Sequence, residues 1–173
     1  MSAIVICAFP GCGKSVYYSL NSIYEGHKNG KKILDSDSSL FSWIYDNDGN
    51  KTSKRNPEFP GNYIQHIKNN LNSQDIIFVS SHILVRKALK DAGITYINVY
   101  PEDTIANMKE WRNRFICRGN SQSFIDIVMT NWSNWIQDMD KDESAIRRIK
   151  LNIFKGYPFI NDSLINSIPK IGD

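Results

Sequence analysis

Apolar positions in this chain fall into short blocks separated by polar, Gly- or Pro-marked turns. Residues 4–9, Ile-Val-Ile-Cys-Ala-Phe, form a continuous apolar run closed by Pro10 and Gly11, the pattern of a strand buried on both faces of a parallel sheet. Residues 14–24 then carry Val16, Leu20 and Ile23 at helical spacing, with Gly26 and Gly30 as stops. A second short strand is predicted at 32–35, and the turn residues 36–39 open an amphipathic piece at 40–45. Residues 46–60 are polar, with Gly and two prolines, and are expected to form a mobile surface excursion. A helix follows at about 62–71. The run 76–79 predicts a third buried strand, and Ser80, Ser81 and His82 lead into a helix at 83–91, stopped by Gly93. Residues 94–100 alternate as a fourth strand, with Pro101 as its stop.

The second half is more helical. Residues 102–118 predict a long helix broken at Gly119 and Asn120, and 124–136 another, with Val128, Trp132, Trp135 and Ile136 on one buried face. Residues 138–143 are expected to be a solvated acidic turn. A fifth strand is placed at 149–154, a loop at 155–158 and a last short helix at 161–168. Strands separated by helical segments imply crossover connections, hence an α/β fold with a largely parallel sheet.

At 173 residues the chain fits one domain, and no repeat, low-complexity tract or linker divides it. It is 41% hydrophobic and 23% charged, too apolar for disorder and too interrupted by charge to cross a bilayer, so no membrane partner is expected. Residues 1–9 lack the basic leader of a secretion signal. Cys7, Cys12 and Cys117 have no paired metal-ligand spacing, which argues against a disulfide scaffold or zinc site and for the cytoplasm. The net charge of +3 favours small anions but falls short of the basic face that nucleic acids demand.

Residues 8–15, Ala-Phe-Pro-Gly-Cys-Gly-Lys-Ser, fit the P-loop pattern, with Ala8 where the stricter form has Gly. Gly11 and Gly13 let the backbone curl so that amides point inward, and the following helix adds its partial positive end. The candidate ATP contacts are therefore Pro10, Gly11, Cys12, Gly13, Lys14, Ser15 and Val16. Lys14 would reach the outer phosphates and the Ser15 hydroxyl would ligate Mg²⁺; Cys12 is expected to be a small filler.

Other residues must decide the chemistry. Asp35 and Asp37 lie at the carboxyl end of the second strand, where ligands gather in open α/β sheets. Two apart on an extended segment they project to one side, so one can serve Mg²⁺ and the other an acceptor hydroxyl; the competing reading is a helix-capping turn. Arg114 and Arg118 share a helix face and suit the charge balance of phosphoryl transfer on a closing lid; the competing reading is a solvated, charged surface helix. Arg55 and Arg86 are candidate anion contacts on the acceptor side. His82 either contacts ligand or caps the helix that follows it.

On these residues the chain resembles the P-loop nucleoside and nucleotide kinases of the adenylate kinase and shikimate kinase type, particularly small phage-encoded or bacterial members. The blocks are residues 8–15, 34–39 (Leu-Asp-Ser-Asp-Ser-Ser), 55–63 (Arg-Asn-Pro-Glu-Phe-Pro-Gly-Asn-Tyr), 79–82 (Val-Ser-Ser-His) and 114–119 (Arg-x-x-x-Arg-Gly). The resemblance implies a three-layer α/β/α sandwich with a five-stranded parallel sheet in order 2-3-1-4-5. It also implies an acceptor-binding insertion at about 38–73 and a helical lid at about 102–137. Carried over, Gly11, Gly13, Lys14 and Ser15 hold ATP phosphates and Mg²⁺, Asp35 and Asp37 match an Asp-x-Asp near metal and acceptor, Arg114 and Arg118 match lid arginines, and residues 155–161 lie where adenine is held.

The expected function is ATP- and Mg²⁺-dependent phosphoryl transfer to a small acceptor, first a (deoxy)nucleoside monophosphate, by a monomer or homodimer. The alternatives are a kinase acting on a hydroxyl of DNA, such as a 5-hydroxymethyluracil base or a polynucleotide end, and a non-catalytic nucleotide sensor. The DNA reading alone makes nucleic acid a partner.

Overall fold

The apolar run near the amino terminus forms β1 (Ile4–Ala8), the central strand of a five-stranded sheet in a computed structural model that describes residues 2–169. The chain continues through α1 (Lys14–Asn21), a 3₁₀ turn (Ile23–Glu25), β2 (Ile33–Asp35), α2 (Ser39–Ser42), β3 (Trp43–Tyr45), β4 (Lys51–Arg55), α3 (Gly61–Asn70), β5 (Ile76–Ser80), α4 (Ile83–Asp91) and β6 (Ile97–Pro101). Then come α5 (Ile105–Cys117), α6 (Gln122–Thr130), α7 (Trp132–Asp140), β7 (Arg147–Leu151) and α8 (Asp162–Asn166).

The main sheet runs β2-β5-β1-β6-β7 and every ladder in it is parallel. As numbered, this differs from the expected 2-3-1-4-5, because β3 and β4 enter the count between β2 and β5 as a separate antiparallel hairpin. The hairpin also corrects two expectations: residues 40–45 split between α2 and β3, and part of the polar stretch 46–60 is strand. Further corrections concern the helices. Residues 124–136 belong to two helices, divided at Asn131. Val16 and Leu20 are exposed, and α1 is anchored instead by the buried ring of Tyr17. Trp132, Val128 and Ile136 are buried as expected, whereas Trp135 is 37% exposed.

Period-two alternation explains why the sheet needs cover on both sides. Ile6, Ala8, Ile76 and Phe78 point into one apolar cluster, with Tyr17, Trp111, Phe115, Val128 and Leu164 from α1, α5, α6 and α8. Val5, Cys7, Ile77 and Val79 point into another, with Tyr63 and Ile67 of α3 and Val85 and Leu89 of α4. This α/β arrangement, a parallel sheet flanked by helices, is compatible with a three-layer sandwich. Its parallel register brings the carboxyl ends of β1, β2 and β5 to one edge, with Ala8 opposite Ser80 and Asp35 opposite Phe78. No helix among the described residues is long and apolar enough to cross a membrane.

The stretch 138–143 is not the solvated turn that its charge suggested. The Asp142 carboxylate, with its side chain 10% exposed, accepts from Arg86 at 2.6 Å, from the Tyr96 hydroxyl at 2.9 Å and from Asn98 Nδ2 at 3.0 Å. Burial pushes this carboxyl up, but the bonds from Arg86, Asn98 and Tyr96 outweigh it and hold Asp142 below its ordinary value. A depressed folded value gives stability that is present above the unfolded carboxyl value of roughly 3.9 and is lost as pH falls through the folded one. The share of the urea midpoint that Asp142 contributes should therefore stay level from pH 7 to about 5 and decline below about 4. In Asp142→Asn part of that acid decline should be missing, and an unchanged acid limb in the variant would contradict the assignment.

Candidate functional site

The loop after β1 is built so that its carbonyls are occupied while five of its amides are not. Ala8 O accepts from Lys14 Nζ at 2.8 Å and Phe9 O from the Cys12 amide at 3.3 Å. Pro10 O accepts from the Trp111 indole N–H at 3.1 Å and Gly11 O from Arg114 Nη1 at 3.1 Å. Cys12 O accepts from the Ile160 amide and Gly13 O from the Tyr17 amide, both at 2.9 Å. By contrast, the amides of Gly11, Gly13, Lys14, Ser15 and Val16 have no acceptor among the described residues. Gly11 at φ 79° and Gly13 at φ 95° make the curl that sorts donors from acceptors, and the amino end of α1 supplies the last three amides.

These amides face a cavity of about 860 Å³, within the usual range for small-molecule sites. Pro10, Gly11, Gly13, Lys14, Ser15 and Val16 form one end. Arg114, Cys117 and Arg118 of α5 and its carboxyl cap also line it, as do Phe124 and, from the segment after β7, Ile153, Pro158 and Phe159. Pro158 and Phe159 fall within the stretch 155–161 singled out from sequence. Asn120 also lines the cavity, and its buried Oδ1 has no hydrogen-bond partner. Only the break after Gly119 marked it in sequence.

Lys14 is half-buried, and in this arrangement its ammonium folds back onto the Ala8 carbonyl. Burial pushes it below the ordinary lysine value, and the Arg118 cation pushes the same way. Ser15 Oγ donates to Asp35 Oδ2 at 2.9 Å, so the hydroxyl and carboxylate expected to serve one metal stand side by side. Asp37 turns toward its own chain: its Oδ1 accepts from the Ser39 amide at 2.8 Å at the start of α2. Asp37 thus makes a local turn bond at the entry to α2, whose cap position is Ser38, while Asp35 is the carboxylate that meets Ser15. Among the described residues no group of three or more His, Cys, Asp or Glu side chains gathers as a metal cage.

Arg114 has a different part from the free, charge-balancing group expected. Its Nη1 and Nη2 donate to Gly11 O and Pro158 O, its Nε pairs with Glu110 at 3.0 Å, and its guanidinium lies 3.9 Å from the Trp111 ring centre. It ties the loop to α5 and to the segment after β7. Trp111, three residues earlier, is the partner that sequence reading missed. Arg118 is exposed and makes no side-chain hydrogen bond or ion pair among the described residues. Cys12 is buried and its thiol is pushed up to about 12 by burial, which keeps it neutral and leaves it the filler expected.

The acceptor-side candidates separate. His82 Nδ1 accepts from the Leu84 amide at 3.2 Å and so caps α4. Partial burial, then the Arg86 and Arg55 cations, hold its imidazole below the ordinary value. Arg86 is buried and paired with Asp138 and Asp142, so it is not the free anion contact expected. Arg55 is exposed on the hairpin, with its guanidinium 3.8 Å from the Trp43 ring centre.

Comparison of the chain with protein-family models, curated proteins and solved structures gives no match.

The packing at Gly11 yields a direct test. A Cβ there would come within 2.9 Å of Trp111 Cδ1 and 3.0 Å of Phe115 Cε1. Gly49 has nearly the same φ, 80°, but open space around it. Each Gly→Ala change should cost about 1–2 kcal/mol for the left-handed backbone, and Gly11→Ala should cost more through the clash. Equal urea midpoints for the two variants would contradict this packing.

Proposed function

We propose that the chain is a phosphotransferase that moves the terminal phosphoryl group of ATP, in the presence of Mg²⁺, onto a small acceptor of nucleoside or nucleotide type. The observation that carries this reading is the loop of five unpaired amides between clamped carbonyls at the end of a roomy cavity. A surface offering only donors, with a lysine and a helix amino end beside it, suits a chain of phosphate oxygens. The apolar surfaces of Ile153, Pro158, Phe159 and Phe124 suit a purine ring in the same cavity.

Each polar residue then has a task. Lys14 leaves the Ala8 carbonyl for the outer phosphates. Ser15 and Asp35 would hold Mg²⁺, which supplies charge neutralisation on phosphate oxygens when bound. Arg114 keeps Gly11 in place and so aims the amides, while the exposed Arg118 is the cation able to swing toward charge developing on the transferred group. A bond forms from the acceptor oxygen to the terminal phosphorus as the bond to the bridging oxygen breaks. ADP leaves with that electron pair, and a hydroxyl proton passes to a carboxylate. Asp37 offers the oxygen that Ser39 does not occupy. Helix α5 lines the cavity, and on this reading the exposed end of α5 and the turn after it would cover the bound donor and exclude water. An ATP-dependent enzyme of this kind belongs in the cytoplasm.

The test is transfer of label from γ-labelled ATP to nucleosides, nucleoside monophosphates and hydroxyl-bearing DNA, with ATP binding measured alongside. Lys14→Ala should abolish transfer. Arg114→Ala should weaken ATP binding about tenfold or more, as expected when charge-assisted bonds that hold the loop are lost. Near-wild-type transfer by Lys14→Ala, or unaltered ATP affinity in Arg114→Ala, would overturn these roles.

A further inference from the structure

A second cavity, of about 220 Å³, abuts the first: both are lined by Pro10 and Phe124. It opens where β5 ends, on the Ser80, Ser81 and His82 side of the phosphate loop. Its size is below the roughly 300–1,000 Å³ of sites that engulf a whole ligand, so it takes one part of a molecule. Phe9, Phe124 and the partly exposed Trp135 give it flat apolar walls.

The charges on its wall are unusual for a phosphate acceptor site. Arg86 is the one cationic side chain among the described lining residues, and each of its three nitrogens already donates to a partner within the protein. Nη1 bonds Asp142 at 2.6 Å, Nη2 bonds Asp138, Nε donates to Ser81 O at 3.0 Å, and the side chain is 5% exposed. Two carboxylates around one guanidinium leave the cluster negative. Asp138 remains 42% exposed at the cavity wall. His82 does not restore a cation, because the Leu84 amide occupies its Nδ1 and its neighbours disfavour protonation. A neutral imidazole bonded this way presents Nε2–H, a donor for a hydroxyl oxygen. A phosphomonoester placed here would meet the exposed Asp138 carboxylate with no unpaired cation among the recess's own lining residues, Arg55 of the hairpin lying outside them, and would sit beside the phosphates of the donor itself.

We propose that this recess receives the ring and hydroxyl of an uncharged nucleoside and discriminates against the same nucleoside bearing a 5′-phosphate. The proposal rests on the phosphoryl-transfer reading and narrows its acceptor to an alcohol. The hydroxyl oxygen forms the new bond to the terminal phosphorus, the bond to the bridging oxygen breaks, ADP leaves with the electron pair, and the hydroxyl proton goes to a carboxylate and then to water.

The experiment uses the full chain with Mg²⁺, first with a non-hydrolysable ATP analogue for binding and then with γ-labelled ATP for turnover. The four common deoxynucleosides are compared with their 5′-monophosphates. At least one nucleoside should bind and be phosphorylated with kcat/KM about tenfold or more above its monophosphate, as expected for a like charge kept out of a partly buried site. Asp138→Asn should shrink that ratio several-fold with ATP-analogue affinity unchanged. Equal use or preference for monophosphates, or no nucleoside binding while the ATP analogue binds, would overturn this inference and leave the donor reading standing. Failure of the ATP analogue itself to bind would overturn both. The wild-type comparison decides the matter even if Asp138→Asn fails to fold.

Discussion

The structure depends on one constraint: six successive carbonyls, from Ala8 to Gly13, must all be held by donors of the protein so that the amides beyond them stay free. A tight Gly-rich turn left to itself satisfies its own polar groups with water or with neighbouring backbone. Here the indole of Trp111, the guanidinium of Arg114 and the amide of Ile160 reach in from distant parts of the chain and claim three of the carbonyls. The result is a concave surface of one electrical sense, set before any ligand arrives. Preorganisation of this kind removes the cost of reorienting dipoles at the moment of binding.

The rest of the fold supplies those donors. Burial of β1 on both faces fixes where the loop begins, because Phe9 donates its amide to Val99 O at 2.9 Å and β1 cannot slip without moving two apolar clusters. Helix α5 lies against the loop through Trp111 and Phe115, both fully buried, and this close approach is what requires a glycine at position 11. The segment after β7 returns to the loop through Pro158 and Ile160. The amide end of the cavity, its helical wall and its apolar wall are thus joined by four hydrogen bonds, from Trp111 to Pro10 O, from Arg114 to Gly11 O and Pro158 O, and from the Ile160 amide to Cys12 O. Within that frame the buried Arg86 ties α4 to α7 and to the turn after it through Asp138 and Asp142.

Local features of the fold were legible in the sequence. Continuous apolar runs gave β1 and β5 because a doubly covered strand needs apolar residues on both sides. The spacing of Gly11, Gly13, Lys14 and Ser15 pointed to the loop because φ > 0 and a helix start are local properties. Features set by distant partners were not legible. Nothing near Arg114 says that it will hold Gly11 O, and nothing near Asp142 says that Arg86, 56 residues away, will bury it. The hairpin escaped notice because Lys51–Arg55 is wholly polar and its partner strand has three residues, too few to show a period. In α1, the apolar positions Val16 and Leu20 face outward, Val16 toward the cavity, so their spacing misled where a single buried tyrosine does the anchoring.

The most direct measurement is an amide-resolved NMR titration of the chain with ATP and Mg²⁺. The account predicts that the largest shifts fall on the amides of Gly11, Gly13, Lys14, Ser15 and Val16. Saturable binding that leaves those five unmoved while shifting others, or no binding at all, would contradict it.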